Sequence, residues 1–227
     1  MDIQTEPLLN SPYEIQDWGL IEYTEALRRQ EELVAKVADS GSAGVLVFCS
    51  HPAVVTLGRA TRPDDVTDFT GPVIEISRGG RATYHGPSQI VIYPIVNLNI
   101  AQPQRRARDL HQFLRGFEEA IVRTLSSYGI SATGKSLQKK SSDDLGTEET
   151  GVWVGGRKIA SIGLAVRRWV TFHGAALNFS MDASAFRGLN PCGFQSSVMV
   201  SLEELRGILD SRTEFQTHLA RYLQELI

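Results

Sequence analysis

Two side chains in this sequence could carry nucleophilic and proton-transfer chemistry. Cys192 sits in Asn190-Pro191-Cys192-Gly193, a Pro/Gly-flanked turn, which is a setting that exposes a thiol rather than packing it. A thiolate there would be a nucleophile, provided a base such as Lys158 or His173 lies near it in space. Lys158 follows Gly155-Gly156, a tight-hairpin signal, and leads into Ile159-Ala160-Ser161-Ile162-Gly163. Small and apolar neighbours strip water from an amine, and that loss favours its neutral, proton-accepting form. Taken singly, both have ordinary readings: lysines at strand starts are usually solvated, and an isolated turn cysteine usually has no role. Cys49, inside Val45-Leu46-Val47-Phe48, reads as a small buried hydrophobe.

Two further segments are dense in chemistry. In Arg78-Gly79-Gly80-Arg81-Ala82-Thr83-Tyr84-His85-Gly86-Pro87, paired glycines let the backbone approach a ligand while Arg, Tyr and His supply charge and hydrogen bonds. Alone, a Gly-Gly between strands is more often a plain hairpin turn. The segment lacks the Gly-Lys-Ser/Thr ending of a phosphate loop and the repetition of RGG tails that bind RNA. The other segment is Phe172-His173-Gly174-Ala175-Ala176-Leu177-Asn178. The five histidines show no metal-ligand spacing, so no metal is expected. His111 and His218 fall in helical segments, and His51 before Pro52 reads as turn-shaping.

The elements that must position these groups follow from periodicity. Leu20, Tyr23, Leu27, Val34 and Val37 recur at helical spacing and stop near Ser40-Gly41. Strands are expected at 45–48, 54–57, 73–76 and 89–96. A second amphipathic helix fits Leu110, Phe113, Leu114, Phe117, Ile121 and Leu125. Residues 135–150 hold two apolar side chains and read as a flexible loop. Three strands follow at 151–154, 158–166 and 170–179. Two helices then start at Ser201 and Ser211, each with a glutamate three residues on, as in a capping box. This order lacks regular βαβ alternation, so the expected class is α/β of the α+β kind, a mixed sheet flanked by helices. One domain over 1–227 is expected, since neither side of the 135–150 loop has a full set of strands and covering helices.

With 227 residues, 42% hydrophobic and 22% charged, the composition is that of an ordinary globular protein. Two cysteines exclude a disulfide scaffold and any four-cysteine zinc site. The acidic start and the short apolar runs argue against a signal peptide or membrane span, which makes a reduced cytoplasmic protein the default.

Together the blocks HPAVVTLGR (51–59), RGGRATYHGPSQIVIYP (78–94), GVWVGGRKIASIGLAVRRWVTFHGAALN (151–178) and NPCGF (190–194) resemble the lipoyl(octanoyl) transferase family, over nearly the whole chain. The resemblance implies a fold similar to the biotin/lipoyl protein ligase catalytic domain. The implied activity is transfer of octanoate from octanoyl-acyl-carrier protein to a lysine of lipoyl domains, the first step of endogenous lipoate biosynthesis. The implied acceptors are the lipoyl domains of 2-oxoacid dehydrogenase complexes and the glycine cleavage H protein, with no cofactor. On the matching positions, Cys192 is the acyl-thioester nucleophile and Lys158 the lysine that favours its thiolate. Residues Arg78 to His85 form the acyl-substrate loop, and Ser161-Ile162-Gly163 with Gly174-Ala175-Ala176 complete substrate binding. Tyr84, His85 and His173 are assigned to positioning. Backbone N–H groups near Gly163 or the Cys192 turn are candidate oxyanion donors, and Leu, Ile and Val side chains are expected to line an eight-carbon slot. Ser88 departs from the family's usual glycine, and the 135–150 loop is longer than usual. The competing activities are an ATP-dependent lipoate or biotin ligase and a hydrolase using a Cys192–His173 dyad. A carrier-protein or lipoyl-domain binding module without activity is the non-enzymatic alternative.

The net charge of −3 predicts no nucleic-acid or membrane partner, but it is unevenly spread. Residues 78–108 carry five arginines and no acid, and residues 151–181 carry Arg157, Lys158, Arg167 and Arg168 and no acid. That division predicts a basic face for an acidic protein partner.

Overall fold

A computed structural model describes residues 11–135, 150–181, 185–207 and 211–227. Most of the loop expected at 135–150 therefore lies outside the described residues. The elements run β1 (Glu14–Leu20), α1 (Tyr23–Ser40), β2 (Gly44–Ser50), β3 (Val54–Leu57), β4 (Val73–Glu75), β5 (Thr83–His85) and β6 (Gln89–Val96). They continue with α2 (Leu110–Ser127), β7 (Thr133–Gly134), β8 (Gly151–Val154), β9 (Arg157–Arg167), β10 (Val170–Asn178), α3 (Leu202–Arg206) and α4 (Arg212–Leu226). Seven strands make one mixed sheet in the order β1-β2-β6-β10-β9-β8-β7, and three make a smaller one, β4-β3-β5. Only β1 and β2 are parallel in the large sheet.

The large sheet is covered on both faces, so its central strands β2, β6 and β10 are buried along their whole length rather than at alternate residues. On one face α2 and α4 bury Phe113, Phe117, Ile121, Phe215 and Leu219 against Leu46, Ile92 and Leu177. On the other, α1 lays Ala26, Val34 and Val37 over Val45, Val47 and Val91. Asp109 caps α2 by accepting the Gln112 N–H at 2.9 Å. Gly41 ends α1 in the left-handed region (φ 67°). The small sheet has its own core, in which Val55, Ala82 and Tyr84 meet Phe186, Leu189 and Met199.

Three expectations change. The helical run placed at Leu20 begins instead at Tyr23, and Leu20 ends the strand β1, 62% exposed. β1 is a polar edge strand held by its parallel pairing with β2, so it has no apolar alternation to betray it. The Gly79-Gly80 segment is not a hairpin: β4 and β5 flank β3 on opposite sides, and the chain crosses over β3 between them. Ser201 caps α3 by accepting the Glu204 N–H at 3.2 Å, whereas Ser211 makes no side-chain cap. Gly155-Gly156 does form the expected tight turn, both residues at positive φ. Among the described residues no helix is long and apolar enough to cross a membrane.

Phe117 is fully buried between sheet and helices. Phe117→Ala should lower unfolding free energy by about 3 to 5 kcal/mol, read from the urea midpoint. Val73→Ala, at an exposed position, should stay within about 0.5 kcal/mol.

Candidate active site

The small sheet packs over one end of the large one, and the cleft between them encloses about 430 Å³ including its open mouth. One wall is Arg78, Gly80, Arg81, Thr83 and His85 from the glycine loop and β5. The other is Ser161, Ile162 and Gly163 from β9 with His173 to Ala176 from β10. Cys192 sits at one end. Two glycines make the fit possible. A Cβ on Gly163 would press on Arg78 and the Gly79 carbonyl, and one on Gly174 would collide with the Ile92 carbonyl of β6.

Cys192 is 4% exposed, not the accessible thiol its turn suggested. The turn is pinned from three sides. Cys192 donates its N–H to the Ala82 carbonyl at 2.9 Å, Asn190 donates to the Asp65 carbonyl at 2.9 Å, and the Arg81 guanidinium lies against Gly193. Arg81 is itself held by the fully buried Asp65 carboxylate, with Nε to Oδ2 at 3.1 Å and a second bond from Nη2 to Oδ1. The Asp65 pair raises the Arg81 pKa still further, so the guanidinium is a permanent charge. So pinned, Cys192 adopts left-handed φ 56°, ψ 20°, a conformation a non-glycine residue holds only when its surroundings enforce it. Its Sγ lies 3.7 Å from Ser161 Oγ and 3.9 Å from Thr83 Oγ1. The turn's own amides are spent: Cys192, Gly193 and Phe194 N–H groups donate to Ala82, Asn190 and Pro191 carbonyls. They are therefore not the oxyanion donors expected of them.

Lys158 does not line the cleft but shares a strand face with Ser161, which does, through a β-bulge. Pairing between β8 and β9 jumps from Val152↔Ala160 to Trp153↔Lys158, leaving Ile159 as the extra residue. Gly151 and Trp153 share a face of β8, so their partners Ser161 and Lys158 share a face of β9 despite being three apart. Lys158 is fully buried, its Nζ 5.5 Å from the Trp153 ring centre and 5.8 Å from that of Phe194, two residues beyond the cysteine. Val200 N–H bonds the Lys158 carbonyl at 3.0 Å and ties the segment after the turn to this strand.

The closed end of the cleft is a cluster of neutral rings. Tyr23, the first residue of α1, stacks on His85 at 5.6 Å. His51 donates from Nδ1 to the Ile21 carbonyl at 2.8 Å, so its Nε2 accepts from the Tyr93 hydroxyl at 2.7 Å. Burial lowers the pKa of His51 and, with help from neighbouring cations and rings, takes His85 well below the ordinary value. His173 is 2% exposed, sits at φ 57° inside β10, and has its backbone N–H held by Gln30 Oε1 at 2.8 Å. Burial, then Arg78 and Arg167, lower its pKa to about 3. Arg78 is fastened by Nη2 to the Thr56 carbonyl and hydroxyl, both at 2.9 Å.

Of the residues singled out in the sequence, Arg78, Gly80, Arg81, Thr83, His85, Ser161, Ile162, Gly163, His173, Gly174, Ala175, Ala176 and Cys192 line the cleft. Gly79 touches β9 through its N–H to the Leu164 carbonyl, at 3.2 Å. Ala82 and Tyr84 point into the small sheet's core, Tyr84 with its ring 5.1 Å from that of Phe186. Tyr23, Val91 and Tyr93 line the cleft too, and sequence reasoning missed Tyr23 and Tyr93 because their spacing matches plain core. The expected Leu, Ile and Val slot is built instead from glycines, alanines and rings, with Val91 and Ile162 its aliphatic side chains. His173 pairs with Leu164, three residues along β9 from Ser161, and neither of its ring nitrogens has a hydrogen-bond partner among the described residues, so the suggested Cys192–His173 dyad is not formed. The basic face also shrinks. Arg78, Arg81, Arg105 and Lys158 are buried, and Arg157, Arg167 and Arg168 pair with Glu204, Glu31 and Asp39. Arg106 and Arg108 remain exposed with no acidic partner among the described residues.

The arrangement of sheet and covering helices gives the chain a fold shared with solved lipoate protein ligase structures. Over 94% of its length it superposes on the bipartite lipoate protein ligase of Thermoplasma acidophilum, covering 82% of that chain at TM-score 0.63 and 17% identity. It also superposes on P. falciparum LipL1 in complex with lipoate, covering 62% of that chain at TM-score 0.68 and 12% identity. The lipoyl protein ligase A/B catalytic domain matches residues 22–224, and the chain belongs to that family. Among its relatives, an octanoyltransferase of Bdellovibrio bacteriovorus is 53% identical over 93% of this chain and 97% of its own. One of Geobacter metallireducens is 40% identical over 85% and 83%.

Removing Arg81 leaves the Asp65 carboxylate buried and unpaired, so Arg81→Ala should cost about 3 to 5 kcal/mol of stability, measured by urea unfolding. The histidines set an acid limit. Below about pH 6.5 the unfolded chain takes up protons that folded His173 refuses until about pH 3. Stability should therefore fall on acidification across that window, by up to about 1.4 kcal/mol per pH unit for His173. His173→Asn should flatten that slope, and an unchanged slope would contradict the assignment.

Proposed function

We propose that this chain is an octanoyltransferase of lipoate biosynthesis, acting as one catalytic domain through a Cys192 acyl-enzyme. The supporting observation is the strained, pinned Cys192 at the end of a cleft, with Lys158 brought to the same face of β9 by the Ile159 bulge. The identity to octanoyltransferases across almost the whole chain supports the acyl group.

In this mechanism Lys158 takes the thiol proton and the Cys192 thiolate attacks the octanoyl thioester of acyl-carrier protein. The tetrahedral oxyanion faces Thr83 and Ser161, whose hydroxyls flank the sulfur and are free to turn their protons toward it. Collapse expels the carrier's thiolate, which takes the proton back from Lys158, and leaves octanoyl on Cys192. A lipoyl-domain lysine amine then attacks the new thioester, passes its proton to Lys158 and departs as the amide. Lys158 returns the proton to the Cys192 thiolate. A cysteine suits this exchange because its thioester lies close in energy to the donor's and above the product amide. The acyl chain extends from Cys192 toward the closed end, because Ser161, Gly163 and Gly80 are half-buried at the mouth while Tyr23, Tyr93 and His173 are buried.

The acceptors are lipoyl domains, those of 2-oxoacid dehydrogenase complexes and the glycine cleavage H protein, and the setting is the cytoplasm. The ATP-dependent ligase reading shares the fold but needs no cysteine, and ATP dependence separates the two.

Intact mass after incubation with octanoyl-carrier protein should rise by one octanoyl group, and Cys192→Ala should abolish the adduct and slow transfer by roughly a thousandfold or more. An unmodified mass, or normal transfer by Cys192→Ala, refutes the mechanism. The pH profile of Cys192 alkylation should move in Lys158→Ala; an unmoved profile removes Lys158 from its role.

A further inference from the structure

The acyl chain proposed above would end against side chains that are poorly matched to a hydrocarbon. His173 Nδ1 and Nε2 and His85 Nδ1 are buried without a hydrogen-bond partner among the described residues, and both rings line the cleft. Buried polar atoms are nearly always satisfied, and those that are not call for a reason. These atoms are not crowded into place by a neighbour's chemistry. His173 is held by its backbone, through the Gln30 bond and a left-handed φ, which leaves its ring nitrogens to the cleft.

Their distance from the nucleophile is informative. Ser161, whose hydroxyl touches Cys192 Sγ, and Leu164, the pairing partner of His173, stand three residues apart on β9, about 10 Å along the strand. An extended eight-carbon acyl chain spans on the order of 9 Å from its carbonyl to its last carbon, with bonds of roughly 1.5 Å. The strand rise between the two positions matches the length of the chain, and the unpartnered nitrogens line the same cleft as the thiol. A neutral imidazole offers one donor and one acceptor, which is the complement of a hydroxyl.

We propose that the closed end of the cleft recognises a hydrogen-bonding heteroatom at the distal end of the acyl chain, through His173 with His85, so that the enzyme accepts distally hydroxylated octanoyl groups alongside octanoyl itself. This rests on the acyl-enzyme reading above. Against an apolar floor, a hydroxyl would lose its water without compensation and react roughly ten- to a hundredfold more slowly. Against this floor that penalty is offset.

The test is single-turnover acylation of Cys192, followed by intact mass, with octanoyl-pantetheine and 8-hydroxyoctanoyl-pantetheine on the whole chain. The expected rates for the wild-type protein agree within about threefold, and His173→Phe should favour octanoyl by roughly tenfold or more. His173→Asn, which keeps a polar group and tolerates left-handed φ, should retain most of the wild-type ratio. A wild-type preference for octanoyl of tenfold or more overturns the proposal whether or not the variants fold, as does a ratio that His173→Phe leaves unmoved. Absence of any octanoyl adduct would instead refute the acyl-enzyme mechanism itself.

Discussion

The buried ion pair of Arg81 with Asp65 joins three pieces of chain that sequence holds far apart. Arg81 comes from the glycine loop, Asp65 from the turn after β3, and both clasp the Asn190–Gly193 turn, Asp65 through its carbonyl and Arg81 by lying on Gly193. Two charges taken out of water are stable only with close geometry and further hydrogen bonds, and that demand fixes where all three segments lie. The strained backbone of Cys192 is the consequence. A turn free to relax would leave the left-handed region and swing the thiol away from Ser161 and Thr83.

A second constraint comes from the sheet. Strand geometry alone would send Lys158 and Ser161 to opposite faces, one toward the cleft and the other away from it. The single extra residue at Ile159 reverses that parity and brings amine and hydroxyl to one side. A fully buried amine thus comes to the face of Ser161 without a loop to carry it, beside the Trp153 and Phe194 rings. Glycine at 163 and 174 then lets Arg78 and β6 close in, so the slot is narrow where a Cβ would otherwise stand.

The polarity of the cleft runs opposite to the simplest picture of an acyl slot. Around Cys192 it carries hydroxyls and a thiol, elsewhere glycines and alanines, and its buried rings are histidines and tyrosines. Burial keeps those histidines neutral across the physiological range, so they present hydrogen-bonding atoms rather than charge. The cations that looked like a docking face are mostly structural, because an arginine near backbone carbonyls or a carboxylate does more for the fold than for the surface.

How much was legible beforehand depends on the range of the interactions involved. Residue type and local spacing were enough for α2, the β8 to β10 run, the Gly155-Gly156 turn and the α3 cap, since each rests on contacts within a few residues. Family resemblance carried on short blocks likewise picked out Cys192, Lys158 and most of the cleft walls. What only the tertiary structure decided were the features set by distant partners. The edge strand β1 exists through parallel pairing with β2, and Gly79-Gly80 is a crossing over β3 rather than a hairpin. The bulge at Ile159 shows only in the register, and Cys192 is buried because Ala82, Asp65 and Arg81 reach it from over a hundred residues away. Tyr23 and Tyr93 looked like core residues in the sequence, where their spacing and neighbours are all that can be read. In three dimensions they floor a cleft, because packing a helix end against two sheets turns local apolar positions into a shared polar pocket.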